Sequence, residues 1–240
     1  MLFSLIRGTP AFFLPKERLV VIGDTHIGKE ILLEREGIFF PDASRKMAQN
    51  ILKILRKKKA KGLVILGDVK ESVGHPNKAE SNAIASFFNV LNGIDIHIAK
   101  GNHDAHLGEI LARQKYHVQI SNEILLDKVA LMHGHAMPTQ EAMSKQLIIA
   151  GHSHIAVKKA GVIGKGWLET NIGPNARKYY KKINKKSKLV VIPAFSDLIT
   201  GMEYDPKSAR LMPMLRKNIF NPDKARLFNL NGERCQSLRK

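Results

Sequence analysis

Five short clusters of aspartate, asparagine and histidine constrain the fold of this chain more than any other feature of its sequence. Each cluster follows a short apolar run: Asp24-Thr25-His26, Gly67-Asp68, Gly101-Asn102-His103-Asp104, His133-Gly134-His135 and Gly151-His152-Ser153-His154. Short apolar runs that end at polar turns are typical of buried strands. Ligands bind beyond the carboxyl ends of strands in open α/β sheets, so we expect these side chains to converge on one pocket.

The first two-thirds of the chain predict strands that alternate with helices, after an entry hairpin that turns at residues 7–10. Strands are predicted at 18–23, 63–66, 94–99, 118–120, 123–126, 129–132, 147–150 and 189–192, with strand-like runs at 209–215 and 226–230. Helices are predicted from 42 to 59, where Gly62 ends the helix, from 77 or 81 to 92, and from 107 to 114. This order indicates a layered α/β domain whose strand ends meet at one edge.

The length of 240 residues suits a single domain over residues 1–240. Within it, residues 158–188 carry ten lysines or arginines and one acidic residue, which predicts a basic loop or hairpin. The single cysteine, Cys235, excludes an internal disulfide and a thiolate metal cage, and its polar neighbours predict an exposed thiol. No run of eighteen apolar residues predicts a membrane span, and we expect a cytoplasmic protein.

The formal net charge of +18, with a pI near 10.0, predicts attraction to polyanions, nucleic acid first. The alternative is that the lysines only solvate the surface, as they do in many heat-adapted proteins. Charge alone does not choose between these interpretations.

The residue types in the five clusters point to metal chemistry at a phosphate. Carboxylate, amide oxygen and imidazole without sulfur suit Mn²⁺, Fe or Zn²⁺. Two such ions roughly 3.5–4 Å apart would neutralise phosphate oxygens and lower the pKa of a shared water, and they require one bridging carboxylate. Each cluster alone is a weak signal, since Gly-Asp is more often a turn. All five, in this order and at strand ends, would rarely arise by chance.

At these residues the chain resembles the calcineurin-like metallophosphoesterase superfamily, over residues 24–154. The resemblance implies an α/β fold, a four-layer sandwich of two mixed β-sheets flanked by helices. It also implies two divalent ions, with manganese expected first and iron or zinc as alternatives. One ion would be held by Asp24, His26 and His154, the other by Asn102, His133 and His152, with Asp68 between them. His103 would be the general acid, and Asp104 would fix its tautomer.

Three further segments resemble the branch of this superfamily found beside DNA ligases and helicases: Gly28-Lys29-Glu30, Gly67-Asp68-Val69-Lys70-Glu71 and Pro193-Ala194-Phe195. This narrower resemblance implies DNA as a partner and association with a helicase or ligase. Two further residues are candidates for substrate contact. His135 adjoins a presumed ligand but is otherwise an ordinary surface histidine, and Lys70 is as well explained as a solvated lysine.

These observations predict a phosphodiesterase or nuclease that acts on DNA in a repair setting. The basic segment 158–188 would follow the phosphate backbone, with Tyr179, Tyr180 or Trp167 stacked on unpaired bases; the alternative for this segment is a solvated loop. A phosphatase or phosphodiesterase for small molecules such as nucleotides would use identical metals, so the motifs do not choose. A non-catalytic scaffold would need missing ligands, and none is missing.

Overall fold

The computed structural model describes residues 1–114, 116–206 and 212–235. Its first sheet has six strands in sequential order: β1 (Ser4–Leu5), β2 (Phe12–Leu14), β3 (Leu19–Ile22), β4 (Gly62–Ile65), β5 (Asp95–Ala99) and β6 (Val118–Ser121). The strands β3 to β6 run parallel, whereas β1 and β2 form the predicted entry hairpin. Since parallel strands need crossover connections, the helices between them cover one face of this sheet.

Four helices accompany this sheet: α1 (Lys29–Arg35), α2 (Ala43–Lys58), α3 (Lys78–Val90) and α4 (Leu107–Ala112). The apolar stripe of α2, formed by Ala48, Ile51 and Leu55, packs on the sheet together with Phe87 and Phe88 of α3. The side chain of Asn77 accepts a hydrogen bond from the amide of Glu80 and so begins α3, as the capping pattern predicts.

The second sheet has nine strands: β7 (Glu123–Leu125), β8 (Val129–Met132), β9 (Leu147–Ala150), β10 (Ile155–Lys159), β11 (Val162–Asn171), β12 (Lys188–Val191), β13 (Met202–Glu203), β14 (Arg226–Asn229) and β15 (Arg234–Cys235). Its order is β13-β10-β11-β12-β9-β8-β7, with β14 beside β11 and β15 beside β14. The strands β8, β9 and β12 are parallel neighbours, and the other pairs are antiparallel except β10 with β13. Short helices α5 (Ala176–Tyr179) and α6 (Pro213–Arg216) and 3-10 turns at Ala142–Ser144 and Pro222–Lys224 lie among these strands.

Alternating strand residues divide the apolar core into three layers. In the first sheet Val20 and Ile22 face the helices, whereas Val21 faces the second sheet. In the second sheet Ile149 faces inward, whereas Ile148 faces the outer cluster that contains residues of α5 and α6. Three apolar layers separate four structural layers, so the predicted sandwich of two mixed sheets flanked by helices is confirmed.

Several local predictions differ from the structure. The helix α2 ends at Lys58, and Lys59 takes a left-handed conformation, whereas Gly62 opens β4. Cys235 is buried in β15 and not exposed, because it packs in the outer apolar cluster. The strand-like run at 209–215 is wrong at its end, where Pro213 begins α6; residues 207–211 lie outside the described part of the chain.

The basic segment 158–188 is only partly a loop. Its first residues belong to the hairpin of β10 and β11, which turns at Ala160 and Gly161, and β11 continues into the centre of the second sheet. Among the described residues, no helix has the length and apolar character needed to cross a membrane.

Candidate metal centre

The five polar clusters follow strands that lie side by side. Asp24, Asp68 and Asn102 come after the parallel neighbours β3, β4 and β5, and His133 and His152 come after the parallel neighbours β8 and β9. Because parallel strands end at the same edge, each sheet delivers its polar residues to one place, and the packing of the two sheets brings these places together.

Two groups of ligand atoms result, and both include Asp68. In the first group, one atom each from Asp24, His26, Asp68 and His154 lie within 4.8 Å of one another. In the second, the same holds for Asp68, His133 and His152. The Oδ1 atom of Asn102 lies 3.1 Å from Nε2 of His133 and so joins the second group. The structure thus brings together, on either side of Asp68, the residues that the family resemblance names as candidate ligands.

The second group presents lone pairs to a common point. The Nδ1 atom of His133 lies 2.8 Å from the carbonyl oxygen of Leu66, which can only accept a hydrogen bond, so Nδ1 carries a proton. In the neutral ring, Nε2 is then an acceptor. It faces Oδ1 of Asn102 at 3.1 Å and Oδ2 of Asp68 at 3.3 Å, which are also acceptors. Acceptors that face one another repel unless a proton or a cation lies between them, so this donor set fits a metal ion.

The first group repeats this pattern through Glu71. The Nδ1 atom of His26 lies 2.8 Å from a carboxylate oxygen of Glu71, and its Nε2 atom lies 3.1 Å from Nε2 of His154. Lys29 holds the other oxygen of Glu71 at 3.2 Å. A carboxylate that fixes the far nitrogen of a metal-binding histidine sets its tautomer and orients the ring. No role was assigned to Lys29 from the sequence.

The charges of the site also favour cations. Asp24 and Asp68 are almost completely buried, and buried carboxylates need compensating charge. Burial would lower the pKa of His133, yet the contacts with Asp68 and Asp24 outweigh it and raise that pKa to about 9. The pKa of Asp68 is lowered, since its contacts with His133 and the His103 amide outweigh burial. A proton on His133 therefore supplies part of the positive charge that a metal ion would supply.

The second histidine of this pair behaves differently. Burial and the neighbouring His133 lower the pKa of His152 to about 4, against the opposing pull of Asp24. Its imidazole is therefore neutral at physiological pH, which is the form that binds metals.

Backbone conformation singles out the same residues. Asp24, His26, Asp68, His152 and His154 all have a positive φ, between 41° and 71°. Residues with a side chain rarely adopt this left-handed conformation, and it clusters at functional sites that the surrounding structure holds in place. Five of the eleven described non-glycine residues with positive φ are thus candidate ligands. The strain independently marks this place as a functional site.

Two motif glycines are required by close packing against the candidate ligands. A Cβ atom at Gly101 would lie 2.3 Å from the amide nitrogen and Oδ1 of Asp68, and one at Gly151 would lie 2.6 Å from Oδ2 of Asp24. Any larger residue at either position would displace the carboxylate that it touches.

His103 lies at the rim of the centre, but Asp104 does not orient it as predicted. The Nδ1 atom of His103 contacts the backbone carbonyl oxygen of Glu71 at 2.5 Å, and the ring lies 5.2 Å from that of His26, between centroids. The buried carboxylate of Asp104 instead accepts hydrogen bonds from the amides of Val69 and Gly101, each at 2.7 Å. Asp104 therefore ties the loops after β4 and β5 together, and a carbonyl group takes the role predicted for it.

The two residues predicted as candidate substrate contacts, His135 and Lys70, differ in their exposure to solvent. His135 is exposed beside the centre, with its ring 5.3 Å from that of His133, and burial and the charge on His133 lower its pKa. Lys70 is completely buried, and its Nζ atom donates to the carbonyl oxygens of Ser72 and Gly74. The prediction that Lys70 contacts phosphate is wrong, and so is the alternative of a solvated lysine, because the side chain points inward to fasten a loop.

The three aromatic residues of the basic segment that were predicted to stack on bases also differ in their exposure. Trp167 is 2% exposed and stacks on Phe12 at 3.9 Å between ring centroids, and Tyr180 is 8% exposed and donates to the carbonyl oxygen of Pro138. Neither ring is available to stack on a base. Tyr179 is 47% exposed and stays a candidate.

Comparison with known proteins bears on the family and the fold of the chain. The family model described as calcineurin-like phosphoesterase superfamily domain matches residues 18–181. A nuclease from Pseudomonas putida, MPE, has a similar crystal structure with a TM-score of 0.62 and 18% identity, and the match covers 95% of this chain and 97% of that one. YfcE, a phosphoesterase from E. coli, matches with a TM-score of 0.36 and 22% identity over 60% of this chain and 75% of that one. The curated proteins contain no match.

Proposed function

The chain belongs to the calcineurin-like phosphoesterase superfamily, and we propose that it is a two-metal phosphodiesterase that cleaves DNA in a repair setting. One observation carries the proposal: Asp68 belongs to two separate groups of ligand atoms, so a single carboxylate can bridge two ions. Two bridged ions beside an open rim are an arrangement that can catalyse phosphate ester hydrolysis.

The roles of the residues follow from their positions. When bound, two divalent cations would neutralise phosphate oxygens and lower the pKa of a water molecule towards about 7. Asp24, His26 and His154 would hold one ion, and Asn102, His133 and His152 the other. Manganese is the proposed metal, with iron and zinc as alternatives, because the site offers oxygen and nitrogen donors and no sulfur, a set that suits all three.

His103 is proposed to supply the proton. Its ring is half-buried at the rim, and the contact of Nδ1 with the Glu71 carbonyl leaves Nε2 as the atom that can reach a ligand. A protonated Nε2 would donate to the leaving oxygen of the ester as the bond to phosphorus breaks.

A groove beside the centre supports a polymeric substrate. It has a volume of about 880 Å³ and runs between the segment that links α1 to α2, the helix α2 and residues 195–200. Its wall is bonded to the segment that carries Asp24, since the amides of Phe195 and Ser196 donate to the carbonyl oxygens of Gly23 and Asp24. A small ester would need no extended groove beyond the site that holds its phosphate.

The lining of this groove suits a single strand of nucleic acid. Phe40 lines the groove and is 42% exposed, and its neighbour Phe39 is 69% exposed. Lys46 and Lys53 line it as well. Aromatic rings that stack on bases, beside lysines that contact phosphates, are the usual means of binding unpaired strands. The formal net charge of +18 acts in the same direction.

The similar crystal structure from Pseudomonas putida is that of a nuclease, which agrees with this substrate class. Association with a helicase or ligase rests on the sequence resemblance, and a cytoplasmic location rests on the composition of the sequence; both stay part of the proposal.

The test compares four substrates with manganese-loaded protein: single-stranded, duplex and hairpin DNA, and a generic phosphodiester such as bis-p-nitrophenyl phosphate. We expect DNA to be cleaved, with kcat/KM falling steeply between roughly 50 and 200 mM salt. Binding of the protein releases cations from the DNA, and this release becomes less favourable as the salt concentration rises. An Asp68→Ala variant, which should be inactive on every substrate, controls for contaminating nucleases. Turnover of nucleotides or the generic ester without DNA cleavage, and without salt dependence, would establish the small-molecule alternative instead.

A further inference from the structure

A second cluster of potential ligands lies outside the candidate metal centre. It consists of His75, in the loop before α3, and His106 and Glu109, at the start of α4. One ring nitrogen from each histidine and one carboxylate oxygen lie within 4.8 Å of one another. None of these residues belongs to the five clusters, and the proposed reaction does not use them.

The two rings are arranged as a pair. His75 and His106 stack with 3.4 Å between centroids and 20° between planes. The Nδ1 atom of His106 lies 3.0 Å from a carboxylate oxygen of Glu109. The lone pairs of stacked rings run nearly parallel, so binding of one ion by both rings requires the exposed His75 ring to rotate about its side-chain bonds.

The loop that presents His75 is fastened from inside the protein. The buried amine of Lys70 donates to the carbonyl oxygens of Ser72 and Gly74, the latter at 2.7 Å. The amide of Ser72 donates to Glu80 of α3 at 2.8 Å. The buried Lys70 therefore holds Gly74, the residue just before His75, in place. Less conformational freedom is then lost when His75 binds a ligand.

We propose that His75, His106 and Glu109 form a third divalent-cation site. Two imidazoles and one carboxylate form a borderline donor set that suits zinc, and the exposure of His75 and Glu109 leaves the remaining coordination position to water. The site is separate from the dinuclear centre and does not depend on the proposed nuclease activity.

A cation there would join the two loops that flank His103. His106 follows His103 by three residues in the loop after β5. His75 follows Glu71, whose carbonyl oxygen faces the His103 ring, by four residues in the loop after β4. The third ion would therefore restrain both loops that position this ring, as Asp104 does from the buried side.

Metal stoichiometry tests the proposal directly. Metal-free full-length protein is titrated with Zn²⁺ in a calorimeter, and the zinc retained after gel filtration is measured by mass spectrometry. The double variant His75→Ala/His106→Ala is expected to bind one ion fewer than the wild type. The His117→Ala variant, which removes an exposed histidine of another segment, is the matched control and should bind as many ions as the wild type.

The readout is a difference of one ion, so it is independent of how many ions the dinuclear centre holds. Glu109→Gln, which keeps the size of the side chain and removes its charge, should weaken binding of that ion by roughly tenfold or more. Co²⁺ substitution provides a second measurement. The visible absorbance of the cobalt-loaded wild type should exceed that of the cobalt-loaded double variant by the contribution of one bound Co²⁺ ion. Equal zinc content in the wild type and the double variant would overturn the proposal.

Discussion

His103 is oriented by the backbone carbonyl oxygen of Glu71, which its Nδ1 atom contacts. A carbonyl oxygen can only accept, so Nδ1 keeps its proton in both the neutral and the charged ring. The second nitrogen is then free to gain and lose the proton that the reaction needs. Removal of the ring should affect proton donation without removing a metal ligand.

His103→Ala should therefore keep the metal content and unfolding temperature of the wild type and lose roughly 10²–10⁴-fold in kcat on DNA. The loss should be much smaller on a p-nitrophenyl ester, because p-nitrophenolate leaves without a proton. Steady-state kinetics on the two substrates and metal analysis measure these effects. An equal loss on both esters would contradict the role as a proton donor, and full activity on DNA would remove any role.

Asp104 is expected to act on stability. Asp104→Ala would leave the buried amides of Val69 and Gly101 without acceptors, at a cost of about 2–5 kcal/mol in the free energy of unfolding. Asp104→Asn keeps one acceptor oxygen and should lose about half as much. Urea unfolding of metal-free protein measures both values. If Asp104→Ala unfolds like the wild type while its pH profile of activity shifts, Asp104 acts on His103 after all.

The four layers and the convergence of the polar clusters could be predicted because they depend on short-range patterns. A short apolar run that ends at polar turn residues, such as Leu19–Ile22, is typical of a buried strand, and parallel order brings successive strand ends to one edge. The contacts that orient the side chains could not be predicted in this way. The carbonyl of Glu71 reaches His103 only because of how two loops pack. Every residue has a carbonyl group, so the sequence does not show which one makes this contact.

Burial explains the other differences. The burial of Lys70, Trp167 and Cys235 could not be predicted from the sequence. It depends on tertiary packing, which buries all three side chains. Lys70 illustrates the difficulty, because a completely buried lysine requires acceptors, and these come from the carbonyl oxygens of its own loop.

The shared carboxylate predicts unequal effects of ligand removal. Asp68→Ala should lower the metal content from about two ions per chain to less than one in the dinuclear centre, because both groups contain this residue. His154→Ala should lose only the ion of the first group. Manganese content after dialysis, and electron paramagnetic resonance of the coupled manganese pair, measure the difference. Loss of a single ion from both variants would show that Asp68 does not bridge.

The groove predicts where a single strand binds. Phe39→Ala and Phe40→Ala should each weaken binding of single-stranded DNA by about tenfold, the value of one lost base stack. Tyr179→Ala tests the basic segment in the same assay, and Leu125→Ala, a substitution of an exposed apolar residue of β7 outside both surfaces, is the control. Fluorescence anisotropy of labelled DNA in the presence of a chelator prevents cleavage during the measurement. A loss in Tyr179→Ala alone would place the strand on the basic segment and not in the groove.

Lys165 should make stability depend on pH. Its Nζ atom donates to the carbonyl oxygen of Ser196 at 2.6 Å and lies 3.3 Å from the carboxylate of Asp197, so it fastens the loop beside Asp24. Burial lowers the pKa of Lys165 from its usual 10.5, and Asp197 offsets this only in part. Between the lowered value and 10.5 the unfolded chain binds more protons, so the free energy of unfolding rises with pH across that interval.

Lys165→Met should abolish this rise relative to the wild type, and the two stability profiles should diverge over the interval between the lowered pKa and 10.5. Unfolding by urea at a series of pH values measures the slopes, and the difference between the two proteins removes the titration of all other groups. Asp197→Asn is the control, since the side chain of Asp197 is 92% exposed and its ion pair should contribute less than about 1 kcal/mol. Parallel profiles would show that Lys165 has an ordinary pKa in the folded protein, and that its amine reaches water.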